Sequence, residues 1–313
     1  MDGFVSIFYS ILPPFILLGI GGFARGVGWL KAEADSSLSM ITVRVLYPFF
    51  IVFHILDSGA RFDLQTITIS CFGFISILIG FCLSWLISKF LKMDESNVRT
   101  FRFCSGIFNY GFIAIPVAVA LFDEGIVVKI ILFNLGVEIA IWTVGILILT
   151  SKTFSLKGIL NPPAVSVIVA LVFQSIGGKV FIPSYIWNVI ESVAMCSIPI
   201  GLMLIGASFY QLMRSFRFSS GFKIEMGAIL VRNFLFPMIV LFYVCYGFIP
   251  DFLLDIRKGL IVQAAMPAGI FAVVIVGNYS GDKETAMRSI IVTMVVSIIT
   301  LPLWIMYGIY LLP

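Results

Sequence analysis

The stretch Cys104 to Leu121, CSGIFNYGFIAIPVAVAL, is apolar over a length that crosses a bilayer, yet Asn109, Tyr110, Gly111 and Pro116 interrupt its middle. A counterpart in the second half, Leu260 to Gly277, LIVQAAMPAGIFAVVIVG, is interrupted by Gln263, Pro267 and Gly269. A backbone N–H or C=O left unpaired in lipid costs several kcal/mol. A helix can therefore break at mid-depth only where protein or a wet cavity satisfies the freed groups. Two breaks in matching places of two halves are the sequence signature of a substrate site in a membrane carrier.

Working outward, the composition agrees with a membrane setting. The 313 residues are 60% hydrophobic and 12% charged, with a mean hydropathy of +1.12, whereas a soluble domain carries about 25% charged residues. The net charge of +4 is then a property of loops and topology, and gives no reason to expect nucleic acid as a partner. Cys71, Cys82, Cys104, Cys196 and Cys245 all fall inside apolar runs with no close pair. Neither a disulfide framework nor a metal site is supported. The first apolar run, Phe4 to Phe23, has no basic region before it and no small-residue cleavage site, so it reads as a first span rather than a signal peptide.

At about 20 apolar residues per crossing, the chain divides into ten spans: 4–23, 37–57, 66–88, 103–121, 126–150, 162–177, 185–213, 223–247, 258–277 and 285–311. Loops on one side collect thirteen cations: Arg25, Lys31, Lys89, Lys92, Arg99, Arg102, Lys152, Lys157, Arg214, Arg217, Lys223, Lys283 and Arg288. The other side has five, namely Arg61, Lys129, Lys179, Arg257 and Lys258, while Arg44 and Arg232 lie inside spans. That asymmetry places the basic loops in the cytoplasm and both termini outside, in a multi-pass protein of the plasma (inner) membrane.

Five spans per half invert the second half relative to the first. Asn109 precedes Asp123 by fourteen positions and Pro267 precedes Asp282 by fifteen, so each break is followed by a half-helix, an acidic turn and a further full span. The expected fold is all-α: one membrane domain of ten helices in an inverted five-plus-five repeat, about 1–150 and 162–313, with broken helices four and nine crossing near the midplane.

The same residues carry a family resemblance. NYGFIAIP, Asn109 to Pro116, resembles the Asn-x5-Ile-Pro signature of the auxin efflux carrier family, which includes plant auxin carriers and bacterial malate permease-like proteins. QAAMPAG, Gln263 to Gly269, followed by GNYSGDKETA and by Ser297, Thr300, Leu301 and Pro302, resembles that family's last two spans, and Pro48, Arg232 and Pro237 also fit. Two departures are Ala114, where a glycine is common, and the short central loop 151–161. The resemblance implies a fold like that of bile-acid symporters and sodium/proton antiporters. It further implies a scaffold of spans 1, 2, 6 and 7, a transport domain of spans 3–5 and 8–10, and a homodimer formed through the scaffold.

Half-helix N-termini present free N–H groups and a positive dipole end, which favour an anion. Asn109, Tyr110, Gly111, Pro116, Gln263, Pro267 and Gly269 are the candidate binding residues, against a plain reading in which Pro and Gly merely kink packed helices. Glu138 lies at the centre of span five, where an ionisable group marks a functional hypothesis, and Asn134 is one turn away on the same face. Glu138 is expected either to carry a coupling proton or, with Ser105 and Asn109, to ligate Na+. The structural alternative makes it the partner of Arg44 or Arg232. Arg232 is the better anion binder of these two, and it shares a helix face with Glu225. His54, the single histidine, and Glu191 read as interfacial.

The expected function is a secondary carrier of a small organic anion or carboxylate, of efflux type, working by alternating access. A sodium-coupled anion symporter is the alternative and an anion channel a weaker one, since no charge ring or carbonyl filter repeat is present. With one His, no G-x-S-x-G and no H-E-x-x-H, neither a serine hydrolase nor a zincin can be assembled, and no cofactor is implied.

Overall fold

The computed structural model describes residues 2–58, 63–150, 161–215, 222–247, 249, 254–279 and 281–312. Arg61, Lys152, Lys157, Arg217, Ser280 and the central loop 151–160 lie outside the described residues. What is described is helical throughout. Six helices are long and apolar enough to cross a membrane, which makes this a polytopic membrane protein.

The elements run α1 (Asp2–Gly26), α2 (Ala34–Ser58), α3 (Leu64–Phe90), α4 (Glu95–Gly106), α5 (Ala114–Leu121), α6 (Glu124–Thr150), α7 (Pro162–Ser175), α8 (Ser184–Ser215), α9 (Phe222–Tyr246), α10 (Ile256–Ala265), α11 (Phe271–Asn278) and α12 (Lys283–Leu311). Local chemistry sets several starts. Asp63 accepts from the Thr66 amide at 2.9 Å, Asp123 from Ile126 at 3.3 Å and Asn161 from Ala164 at 2.9 Å. Asp282 accepts from both Glu284 and Thr285. Each short polar side chain takes over an N–H that the first helical turn leaves without a carbonyl. Pro162 and Pro163 follow Asn161 at positions where the missing donor costs nothing.

Three long helices are not uniform. The backbone widens to π-helix at Thr42–Leu46 in α2, Ile141–Gly145 in α6 and Leu230–Leu235 in α9, a distortion that frequently marks functional sites.

Packing sorts the helices into two sets. The first joins α1 to α8, and α2 to both α7 and α8; the second joins α3 to α4 and α6, α9 to α10 and α12, and α12 to α4 and α10. The α3–α6 crossing is very close. A Cβ on Gly73 would lie 2.0 Å from the Phe133 carbonyl oxygen, and one on Gly136 would lie 1.7 Å from that of Ser70, so glycine is required on both sides. The Ser70 hydroxyl donates across the same crossing to the Leu132 carbonyl at 2.9 Å. The sets meet where α2 and α7 touch α6, where α1 touches α5, and where α1 and α8 touch α12.

Candidate functional site

Helix α4 stops at Gly106 and α5 begins at Ala114; α10 stops at Ala265 and α11 begins at Phe271. Buried between these ends, the freed backbone groups must find partners. They find each other. Phe108 and Ala268 form an antiparallel bridge, with the Asn109 amide donating to the Pro267 carbonyl at 2.8 Å and the Gly269 amide to the Ile107 carbonyl at 3.0 Å. The Ala268 amide donates to the Thr293 hydroxyl at 3.1 Å, and the Asn109 side-chain oxygen accepts from the Ile113 amide at 3.2 Å. Gly269 fits because a Cβ there would stand 3.0 Å from the Phe108 carbonyl oxygen.

A cavity of about 90 Å³ adjoins this bridge, lined by Asn109, Tyr110, Gly111 and Phe112 of the first connection and by Gly269, Ile270 and Phe271 of the second. Tyr47 from α2, Glu138 and Trp142 from α6, and Asn161 and Pro163 at the start of α7 complete its wall. A smaller space of about 20 Å³ shares Tyr47, Tyr110, Glu138 and Pro163 and adds Asn134. Among the described residues neither wall contains a Lys, Arg or His, and Glu138 is the one carboxyl group in either.

Three donors surround that carboxyl group. The Tyr110 hydroxyl donates at 2.5 Å to Oε1, while the Trp142 indole N–H at 2.9 Å and the Asn161 amide at 2.7 Å both donate to Oε2. Donors to an ionised acceptor form the stronger class of hydrogen bond. One turn before Glu138, Asn134 donates to the Tyr110 carbonyl at 3.0 Å and accepts from Gln263 at 3.0 Å; Gln263 also donates to that carbonyl at 3.1 Å. An amide ladder thus ties α6 and α10 to the first connection. Two polar groups in the cavity wall remain unpartnered: Asn109 Nδ2 and the Tyr47 hydroxyl.

The structure distributes the expected site residues unevenly. Asn109, Tyr110, Gly111, Gly269 and Glu138 share the larger cavity, and Asn134 lines the smaller. Pro116 is buried inside α5, two positions after its first residue, where it starts a helix without lining either cavity. Pro267 acts through its carbonyl in the bridge, and Gln263 through the amide ladder. Ser105 is fully buried with its hydroxyl unpartnered, and lines neither cavity.

Arg232 is fully buried too, but on the other side of the bridge. Its guanidinium lies 5.1 Å from the Phe108 ring centre and 4.2 Å from that of Phe236, and Nη2 donates to the Met266 carbonyl at 3.2 Å. It touches neither cavity, and Nε and Nη1 have no partner. Met266 directly follows the C-terminal end of α10 and Phe108 lies two residues past that of α4, so the cation sits near two negative helix ends.

One expectation about charge pairing is corrected, and two further contacts were not foreseen. Glu138 pairs with neither Arg44 nor Arg232, because neutral donors fill its oxygens; Arg44 is exposed. Glu225 meets Arg288 of α12 at 2.7 Å rather than Arg232 on its own helix, and Arg288 also meets Glu284 at 2.8 Å. His54, near the end of its span, is packed at 7% exposed between Phe50 and Phe53, with Nδ1 2.6 Å from Glu124. Glu191 is exposed, as an interfacial residue would be. Sequence reasoning missed Tyr47, Trp142 and Asn161. The Asn-Pro-Pro run is a recognisable helix start that could have placed Asn161.

Comparison with known proteins follows the same line. Residues 6–154 and 148–305 match the profile of a family described as "Membrane transport protein". An uncharacterized transporter of Methanocaldococcus jannaschii is 24% identical over 307 residues, covering 94% of this chain and 96% of its own length. Another, from Methanothermobacter thermautotrophicus, is 20% identical over 307 residues with the same coverage of each chain.

Proposed function

This chain belongs to the membrane transport protein family, whose auxin efflux carrier motifs it bears, and from that membership we propose a secondary active carrier of a small organic anion. The observation that carries the reading is the backbone clasp of two interrupted helices beside a cavity. The segment leading into α5 (Asn109 to Phe112) and the first turn of α11 line that cavity, with Asn109 Nδ2 unpartnered in its wall. Free amide donors and positive helix ends together suit a carboxylate. Asn109, Tyr110, Gly111, Asn134 and Gly269 bind it. Pro116, Gln263 and Pro267 hold the breaks in shape, and Arg232 supports them from behind as a fixed cation.

In this reading the two packing sets are a scaffold (α1, α2, α7, α8) and a transport body (α3–α6, α9–α12), related as inverted repeats of five spans each. Alternating access is their relative motion. The scaffold also supplies a homodimer interface, and the loop charges put both termini outside the plasma membrane. Glu138 couples transport to protons. Its oxygens are already occupied by three donors, which leaves little room for Na+ to be ligated there. Sodium coupling is the second reading, favoured by the buried unpartnered oxygens of Ser105 and Gln263.

A panel of carboxylates tested by thermal shift on purified protein, at two pH values with and without Na+, examines both. An organic acid should stabilise the protein, and more so at the lower pH. Stabilisation by no acid at either pH refutes the anion reading. Stabilisation that requires Na+ and ignores pH favours the second.

A further inference from the structure

Helix α6 carries two acidic side chains that face the other set of helices, and both are held there. Near its start, Glu124 Oε1 meets His54 Nδ1 of α2 at 2.6 Å; farther along, Glu138 Oε2 accepts from Asn161 Nδ2 at the head of α7 at 2.7 Å. At 1.5 Å per residue the two acids lie about 21 Å apart along one helix. We propose that His54 and Asn161 are positioning residues that clamp α6 at two levels, and that both contacts are released when the cavity changes side. The proposal rests on the two-body reading above.

Two details favour contacts made for exchange over permanent ones. His54 Nε2 is buried with no partner, whereas a purely structural buried histidine has both ring nitrogens satisfied. Beside Glu138, the Tyr47 hydroxyl of α2 lines the same cavities, also without a partner. The first helix set therefore offers Glu138 a second donor, unused in this conformation. Asn161 is doubly committed: its oxygen caps Ala164 while its amide donates to Glu138. Only one of its two orientations serves both.

Two substitutions separate the clamp from folding. Asn161→Asp keeps the capping oxygen but turns the donor toward Glu138 into an acceptor. His54→Leu fills the same apolar slot between Phe50 and Phe53 and removes the unpartnered nitrogen. The reporter is Ile270→Cys in the cavity wall, in a protein whose five native cysteines are replaced, probed with a membrane-impermeant thiol reagent in right-side-out and inside-out membrane vesicles. We expect the parent to react mainly from the side of the basic loops, and each variant to react at least fivefold faster than the parent from the opposite side. Rates within twofold of the parent in both variants overturn the clamp. If the parent reacts measurably from both sides, the two-body reading survives that result; if parent and variants all react from one side alone, that reading falls with it.

Discussion

Replacing Glu138 by Ala and by Gln should have very different effects on stability. Glutamate accepts three hydrogen bonds, one at Oε1 from Tyr110 and two at Oε2 from Trp142 and Asn161. Glutamine has the same shape, and its oxygen can still accept from Trp142 and Asn161. Its amide then faces the Tyr110 hydroxyl, which accepts as readily as it donates. The Tyr110 O–H alone loses its acceptor and can turn to water in the adjacent cavity, so the expected loss is about 1 kcal/mol or less. Alanine strands all three. A buried donor left unpaired costs about 1–3 kcal/mol, and water entering the adjacent cavity offsets part of this, giving roughly 3–6 kcal/mol. With an unfolding entropy near 2.1 cal/mol/K per residue, a chain of this length shifts by about 1.5 °C per kcal/mol. Alanine should then lower the melting temperature by roughly 5–9 °C, and glutamine by no more than about 2 °C. Thermal unfolding of the purified variants in one detergent, followed by intrinsic tryptophan fluorescence, makes the comparison. Equal losses in both would show that charge, and not the count of acceptors, holds the site; no loss in either would remove the three bonds from the stability of the fold.

Glu138→Gln should also abolish pH-driven accumulation of the cargo acid in proteoliposomes while leaving exchange measurable, and an unchanged pH dependence would take Glu138 out of the coupling role. Gly136→Ala drives a Cβ to within 1.7 Å of the Ser70 carbonyl, so α3 and α6 must part; a loss of about 1–3 kcal/mol in denaturant unfolding is expected, and an unaltered midpoint would refute the close crossing. Arg232→Met should cost about 1–2 kcal/mol by removing a cation from two helix C-termini, yet change acid affinity less than tenfold; a greater loss of affinity would put Arg232 in direct contact with cargo. At Asp255, the Lys129 hydrogen bond at 3.0 Å and its charge hold the carboxyl below its ordinary 3.8. The stabilisation is thus present above that value and fades as pH falls below it. With Asp255 67% exposed, Asp255→Asn should shift stability by less than about 1 kcal/mol at pH 7, and a larger loss would mean that this loop is held more tightly than its exposure indicates.

The parts of this architecture that could be read from the chain are those in which one residue type forces a backbone event. Proline and glycine inside apolar runs placed the interruptions at 107–113 and 266–270, and Asp123 and Asp282 stood where new helices begin. Glu138 stood out because an acid inside an apolar helix is costly. What could not be read is which groups meet that acid. Tyr47 and Trp142 are aromatic residues in a chain that is 15% aromatic, and nothing local separates a hydrogen-bonding ring from packing bulk. The π-turns in α2, α6 and α9 carry no local residue signature, since they fall within runs that stay mostly apolar on either side. Charge pairs misled for a related reason. Glu225 and Arg232 share a helix face by spacing, yet Glu225 finds Arg288 on a neighbouring helix, a partner set by tertiary packing.

The placement of Arg232 and Glu138 on opposite sides of one backbone bridge gives the site its electrical polarity. At the bridge, α4 and α10 end and α5 and α11 begin. Arg232 lies near two negative helix ends, beside Phe108 and Met266, while the segment leading into α5 and the positive start of α11 line the cavity that holds Glu138. The positive ends are already answered by a carboxylate when that cavity is empty of cargo. On the proposed reading, an organic anion that enters shares them with Glu138, with no Lys, Arg or His among the described residues of the wall to balance a second charge. Two negative charges a few ångströms apart in a poorly solvated space repel by several kcal/mol, so the cavity accepts the anion most readily when a proton has neutralised Glu138. Protonation in turn weakens the charge-assisted bond from Asn161, the contact that joins α6 to α7. In the proton-coupled carrier proposed above, cargo binding, proton uptake and release of the helix seam are linked through this one side chain, without a path of intervening residues.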